Sequence, residues 1–141
     1  MKIHVVLGPR TPHRAARAVF RAMMATVLVG GTQLVTEPLL GPQLWAIELA
    51  AARPVQIHLW HGAGFRTLRV DGGEPRRADV AHGKKKYDPA RVRVEMFAWL
   101  IEQAAKHEVL VHGFDATEFP PGLERAAWTW DAAAGTYKAE P

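Results

Sequence analysis

Residues 33–60 read QLVTEPLLGPQLWAIELAAARPVQIHLW, and this stretch decides the fold class. Gln33-Leu34-Val35-Thr36 is a short apolar run, and Pro38 with Gly41-Pro42 makes a tight connection out of it. Leu44, Trp45, Ile47, Leu49, Ala50 and Ala51 supply the apolar members of a helix that Arg53-Pro54 closes. Val55 to Trp60 is a second apolar run. Strand, helix and strand joined by connections this short imply a βαβ unit, whose two strands lie parallel.

Toward the N-terminus the same rhythm continues. Residues 2–7 are apolar and rich in Val and Ile, and Gly8-Pro9 ends them, which predicts a buried strand. Thr11-Pro12 reads as an N-cap followed by proline at the first helical position. Ala15, Ala16, Val19, Phe20, Met23, Met24 and Val27 recur at helical spacing, with Arg14, Arg17 and Arg21 on another face, until Gly30-Gly31.

Toward the C-terminus the rhythm breaks. Gly62, Gly64, Gly72-Gly73, Pro75 and Gly83 punctuate residues 61–87, which predicts a long loop with one short strand or hairpin before Asp71. Asp88 caps a helix through about Lys106, with Pro89 at its first position and Val92, Met96, Trp99 and Leu100 inward. Glu108 to Phe114 is a fourth strand. After Pro120-Pro121-Gly122 a last short helix is expected, with Leu123, Ala126, Ala127 and Trp130 inward and a frayed tail from Gly135. Trp128 and Trp130 would point about 200° apart on such a helix. One of them would then be exposed or cover a second chain, so a homodimer is an expectation. The whole chain, 1–141, is read as one three-layer Rossmann-like α/β domain with a mostly parallel sheet flanked by helices.

Composition narrows the function classes. With 48% hydrophobic and 23% charged residues, the chain has the balance of an ordinary globular protein. It has no cysteine, which excludes disulfides and thiolate metal sites. The N-terminal apolar run is too short for a secretory signal, and no stretch has the roughly 18 apolar residues of a membrane span, so a cytoplasmic location is expected. The net charge of +4 suits an anionic ligand, or weak and salt-sensitive attraction to nucleic acid.

The residues available for chemistry are few. The seven histidines include no His-x-x-x-His pair, and no metal site is expected. With neither serine nor cysteine in the chain, Ser-His-Asp and Cys-His catalysis are excluded. Glu37, Asp71 and Asp115 remain as acid or base candidates, and no catalytic role is assigned. Ligands of open parallel sheets bind at the carboxyl ends of strands, where helix N-termini favour anions. Gly8-Pro9-Arg10-Thr11, Glu37 to Gln43, and His112 to Asp115 end up there, and Lys84-Lys85-Lys86 precedes the third major helix. Gly8 lets a phosphate or ribose approach the backbone, and Arg10 offers a fork of donors. Neither Gly-x-Gly-x-x-Gly nor a Walker A sequence occurs.

Leu40-Gly41-Pro42-Gln43-Leu44-Trp45-Ala46, entered from Gln33 to Thr36, resembles the SLOG superfamily, and most of all its small YspA-like members. Gly8-x-Arg10 is similar to their first-strand Gly-x-Arg turn, and the helix carrying Arg91, Arg93 and Met96 is similar to their Arg-Asn-x-x-Met helix. The resemblance covers about residues 2–115. It implies a pocket for a nucleotide or an ADP-ribose-like ligand, lined by Gly8, Arg10, Thr11, Glu37, Gly41 and Gln43, with Arg91 or Arg93 neutralising a phosphate. No cofactor is implied. The motifs depart from the family at three places: Glu37 stands where a glycine is usual, Gln43 replaces an acidic residue, and the family's asparagine falls near Arg93 or Val94. The Pro-Gly-Gly-x-Gly-Thr loop of the phosphoribohydrolases is absent. Two other readings remain open. One is a basic nucleic-acid-associated protein using Lys84-Lys85-Lys86 with Arg76 and Arg77. The other is a structural or interaction protein with a decayed pocket.

Overall fold

The computed structural model describes residues 2–63, 66–71 and 89–140. Asp88 with its capping role, Arg76, Arg77 and the lysines Lys84-Lys85-Lys86 lie outside the described residues. So does the expected loop from residue 72 to residue 87.

The three parallel strands nearest the N-terminus form where the apolar runs predict them: β1 (Lys2–Leu7), β2 (Gln33–Thr36) and β3 (Gln56–Ala63). All but the first residue of β1 are buried, because helices cover both of its faces, and that is why it reads as an unbroken apolar run. Helices α1 (Ala16–Met24) and α2 (Pro42–Ala51) make the two crossovers on one face of the sheet. Helix α3 (Pro89–Gln103) covers the other face and leads into β5 (Glu108–Phe114). β4 (Arg66–Asp71) runs antiparallel to β3. The start of the expected long loop is therefore a β3–β4 hairpin, and β3 continues three residues past Trp60. Two further strands, β6 (Glu124–Asp131) and β7 (Thr136–Ala139), complete one seven-stranded sheet in the order β4-β3-β2-β1-β5-β6-β7. β1, β2, β3, β5 and β6 are mutually parallel, and only the two edge strands are antiparallel. The architecture is a three-layer, Rossmann-like α/β fold.

Two expectations are corrected. The first concerns the C-terminal end, where the last helix and the frayed tail are both replaced by strands. Residues two apart diverge on a helix but share a face on a strand. Trp128 and Trp130 accordingly both pack against the core beneath α1 and α2. Tyr137 of β7 closes that cluster edge-on to Trp130 and Phe114, with ring centroids 5.1 and 5.0 Å away. The Asp131 side chain accepts hydrogen bonds from the backbone of Ala133 and Ala134, and Gly135 takes the left-handed turn position at φ 66°. The hairpin so formed carries the chain into β7 rather than letting it fray.

The second correction concerns α1, which begins at Ala16 and not after Thr11-Pro12. Residues 9–12 run across the start of α2 instead. A Cβ on Gly41 would collide with the Pro9 carbonyl oxygen and lie 3.4 Å from Pro12 Cδ. Thr11 caps nothing: the N-cap is Ala15, without a side-chain hydrogen bond. Further along, the Arg53 guanidinium donates to the carbonyl oxygens of Ala25 and Leu28, tying the end of α2 to the end of α1.

Candidate functional site

β1 pairs with β2 on one side and β5 on the other, and the chain leaves them in opposite directions across the sheet. This switch of direction opens a crevice at the carboxyl ends of β1 and β5. The crevice is real: a cleft of about 480 Å³ lies there. Its walls come from the β1 exit (Gly8, Pro9, Arg10), the first two turns of α3 (Pro89, Ala90, Arg93), Leu39, and residues 115–118 after β5.

The backbone around the cleft is set by close approach. A Cβ on Gly8 would stand 2.6 Å from Pro42 Cγ and 2.9 Å from the Phe114 carbonyl oxygen, so only glycine lets β1, α2 and β5 meet there. Behind the turn, Gln43 is fully buried and its Nε2 donates to the Gly8 carbonyl oxygen at 2.6 Å. Gly41, at φ 96°, serves as the N-cap of α2. On the other side, Asp115 holds φ 56°, and its carboxylate accepts a hydrogen bond from the Trp130 amide at 3.1 Å.

An ion pair lies under the cleft. Arg93 Nε and Nη2 donate to Glu37 Oε1 at 3.0 and 2.8 Å. Glu37 is completely buried, and its other oxygen has no hydrogen-bond partner among the described residues. Burial pushes the Glu37 carboxyl up from its ordinary range, while Arg93 pulls against that shift. Burial also opposes the charged form of Arg93, but the carboxylates of Glu37 and Glu118 outweigh it and hold the guanidinium ionised. Arg93 Nη1 reaches Glu118 Oε2 at 3.5 Å on the exposed rim. Arg93 is thus fixed by two carboxylates where it lines the cleft, and Arg10, which lines it too, also acts electrostatically on Glu37.

The expected site residues separate into three groups. Gly8, Arg10 and Arg93 line the cleft, and Glu37 braces Arg93 from beneath. Gly41 and Gln43 hold the β1 turn from behind and are not part of the lining. Thr11 is exposed outside it, and Arg91 is half-buried elsewhere on α3. Arg91 and Arg93 are two apart on a helix, so only one of them can face the cleft. Glu118 and Thr117 had no local sequence signal. Their placement depends on β6 being a parallel strand, which sends residues 115–123 back past the cleft.

Among the described residues, no group of three or more His, Asp or Glu side chains is placed to hold a metal ion. None of the described helices is long and apolar enough to cross a membrane. Comparison with protein-family models, with curated proteins and with solved structures returned no match.

Proposed function

We propose that the chain binds a nucleotide or an ADP-ribose-like ligand in the cleft at the carboxyl ends of β1 and β5. The observation that carries this reading is that two guanidinium groups, Arg10 and Arg93, line one crevice at the topological switch point. Planar guanidinium groups suit the oxygens of a phosphate or diphosphate. The N-terminal turn of α3, at Pro89 and Ala90, adds the positive end of a helix dipole to the same crevice. The volume falls within the range of small-ligand sites. Asp115 and Glu118 supply acceptors for the hydroxyls of a ribose, while Leu39, Pro89 and Ala116 give apolar contact. The reading is one of binding, and no catalytic group belongs to it.

The test is a thermal-shift titration of the purified chain with ATP, NAD and ADP-ribose, alongside Arg10→Ala. Arg10 is exposed, so its removal leaves the core intact. Ligand at about 100 times its dissociation constant adds roughly 2.7 kcal/mol, a shift of several degrees. A saturable shift that Arg10→Ala weakens at least tenfold supports the reading. The absence of any shift with all three ligands rejects it.

A further inference from the structure

The first 36 residues contain five Lys or Arg and no Asp or Glu. Three of these cations, Arg14, Arg17 and Arg21, lie on α1 or in the turn that leads into it, and all three are exposed. The exposed positions between them are Ala15, Ala18 and Ala22. The outer face of α1 is therefore built from arginine and alanine alone from residue 14 to residue 22. Positions four apart share a helix face, which aligns Arg17 with Arg21 and Ala18 with Ala22. Short alanines leave nothing standing between the guanidinium groups to keep a flat or grooved anion at a distance.

The charge is not offset at the helix end. Carbonyls at a helix C-terminus carry partial negative charge. Here the Arg53 guanidinium covers that of the C-cap residue Ala25, and also the carbonyl of Leu28 beyond the helix. Glu48 of α2 adjoins the stripe, and its Oε2 accepts from Arg17 Nη2 at 2.9 Å. Both partners are about half exposed, and an exposed pair of this kind is weak enough to exchange for another anion.

From this face we infer that α1 docks on the phosphate backbone of a duplex nucleic acid. The absence of apolar anchors decides among polyanions. Among the described residues the exposed large hydrophobic ones are Val29, Leu40, Val94 and Ile101, and none of them is on α1. A protein interface draws its energy from buried aromatic or aliphatic anchors, and an interfacial membrane helix needs an apolar face. Single strands are held by stacking on exposed aromatic rings, which this face also lacks. Arginines alone, spaced along a helix with small residues between them, suit backbone phosphates, whose contacts are electrostatic and independent of sequence. This surface is separate from the cleft and stands whether or not the cleft takes a nucleotide.

The test is fluorescence anisotropy of a labelled 20-base-pair duplex with the full chain, over a series of salt concentrations. Each phosphate neutralised contributes about 0.9 to the slope of log affinity against log salt. The variant Arg14→Gln, Arg17→Gln, Arg21→Gln is expected to lower that slope by roughly 2.7. A charge-matched control, Lys2→Gln, Lys106→Gln, Lys138→Gln, removes the same charge elsewhere and is expected to keep most of the slope. Glu48→Gln releases Arg17 and is expected to tighten binding about two- to fivefold, which a damaged fold would not do. Equal losses in the two triple variants overturn the inference, as does failure of the wild type to bind duplex at low salt. Tighter binding to polyglutamate or to phosphatidylserine vesicles at matched ionic strength overturns it as well.

Discussion

Nδ1 of His4 and Nε2 of His112 lie 2.9 Å apart in the core beneath α1 and α2, where each ring is at most 5% exposed. The two residues are two positions out of register on neighbouring strands, since His4 pairs with Leu110 and Val6 with His112. One ring donates and the other accepts, and this contact fails when both rings are protonated, because each inward nitrogen then carries a hydrogen. Burial is the main reason that the pKa of His4 falls from 6.5 to about 4 and that of His112 to about 3. For His112 the neighbouring His4 adds to the effect, and Lys2 disfavours protonation of both rings.

A pH dependence follows from that pair. The folded state resists protons that the unfolded chain accepts near pH 6.5, so the stabilisation is whole above that value. It is lost as the pH falls toward 4 and then 3. For His4 alone the change is on the order of 3 kcal/mol. Urea midpoints measured between pH 8 and pH 4 should hold level down to about 7 and then drop. A flat profile across that range would rule out a buried neutral pair. A double His4→Phe, His112→Leu variant should show a shallower acid limb than the wild type.

The Glu37–Arg93 pair should behave as a buried unit. Either Glu37→Ala or Arg93→Ala strands the remaining charge and should cost about 3–5 kcal/mol in urea unfolding. The double variant Glu37→Leu, Arg93→Met removes both charges and should be closer to wild type than either single change. Strict additivity of the two single losses in a double-mutant cycle would mean that the pair is not coupled.

Gly8→Ala and Gly41→Ala should destabilise for different reasons. At Gly8 the new methyl meets Pro42 and the Phe114 carbonyl, and overpacking of this kind costs about 1–3 kcal/mol. At Gly41 the left-handed backbone adds strain to a collision with the Pro9 carbonyl, so the larger loss is expected there. Thermal midpoints read the order directly, and a Gly41→Ala protein as stable as wild type would contradict it.

Truncation after Asp131 removes β7 and with it Tyr137, which is 6% exposed and stands edge-on to Phe114 and Trp130. Loss of a large buried aromatic side chain costs about 3–5 kcal/mol, so the shortened chain should unfold at much lower urea. A frayed tail would give no change at all.

Much of the fold was legible because its central strands are buried on both faces. β1, β2 and β5 announce themselves as apolar runs, and their observed ends match the runs. Gly41-Pro42 marks the start of α2, with the proline in its first turn. β6 was not legible in the same way. Its burial alternates only weakly, Ala126-Ala127 suits a helix, and the Pro120-Pro121-Gly122 turn precedes helices and strands alike. The pattern Trp128-x-Trp130 carries the strand period, but a period of two seen once is overridden by neighbouring alanines. For the cleft, Gly8, Arg10 and Arg93 could be read from their places after a strand or on a helix. Glu118 could not, because its partner lies 25 residues away on α3 and no local pattern encodes the meeting.

The strand order has a consequence for how the chain is made. β1 is made before the other strands of the sheet, yet it sits in the middle and pairs with β5, whose residues 108–113 are translated long after it. At about 5–20 residues per second, an emerging chain spends roughly 5–20 seconds with that edge of β1 open. Its unpaired amides and apolar side chains are then a template for mispairing. The nascent protein is accordingly most exposed to aggregation, and most in need of a chaperone, before residue 114 leaves the ribosome.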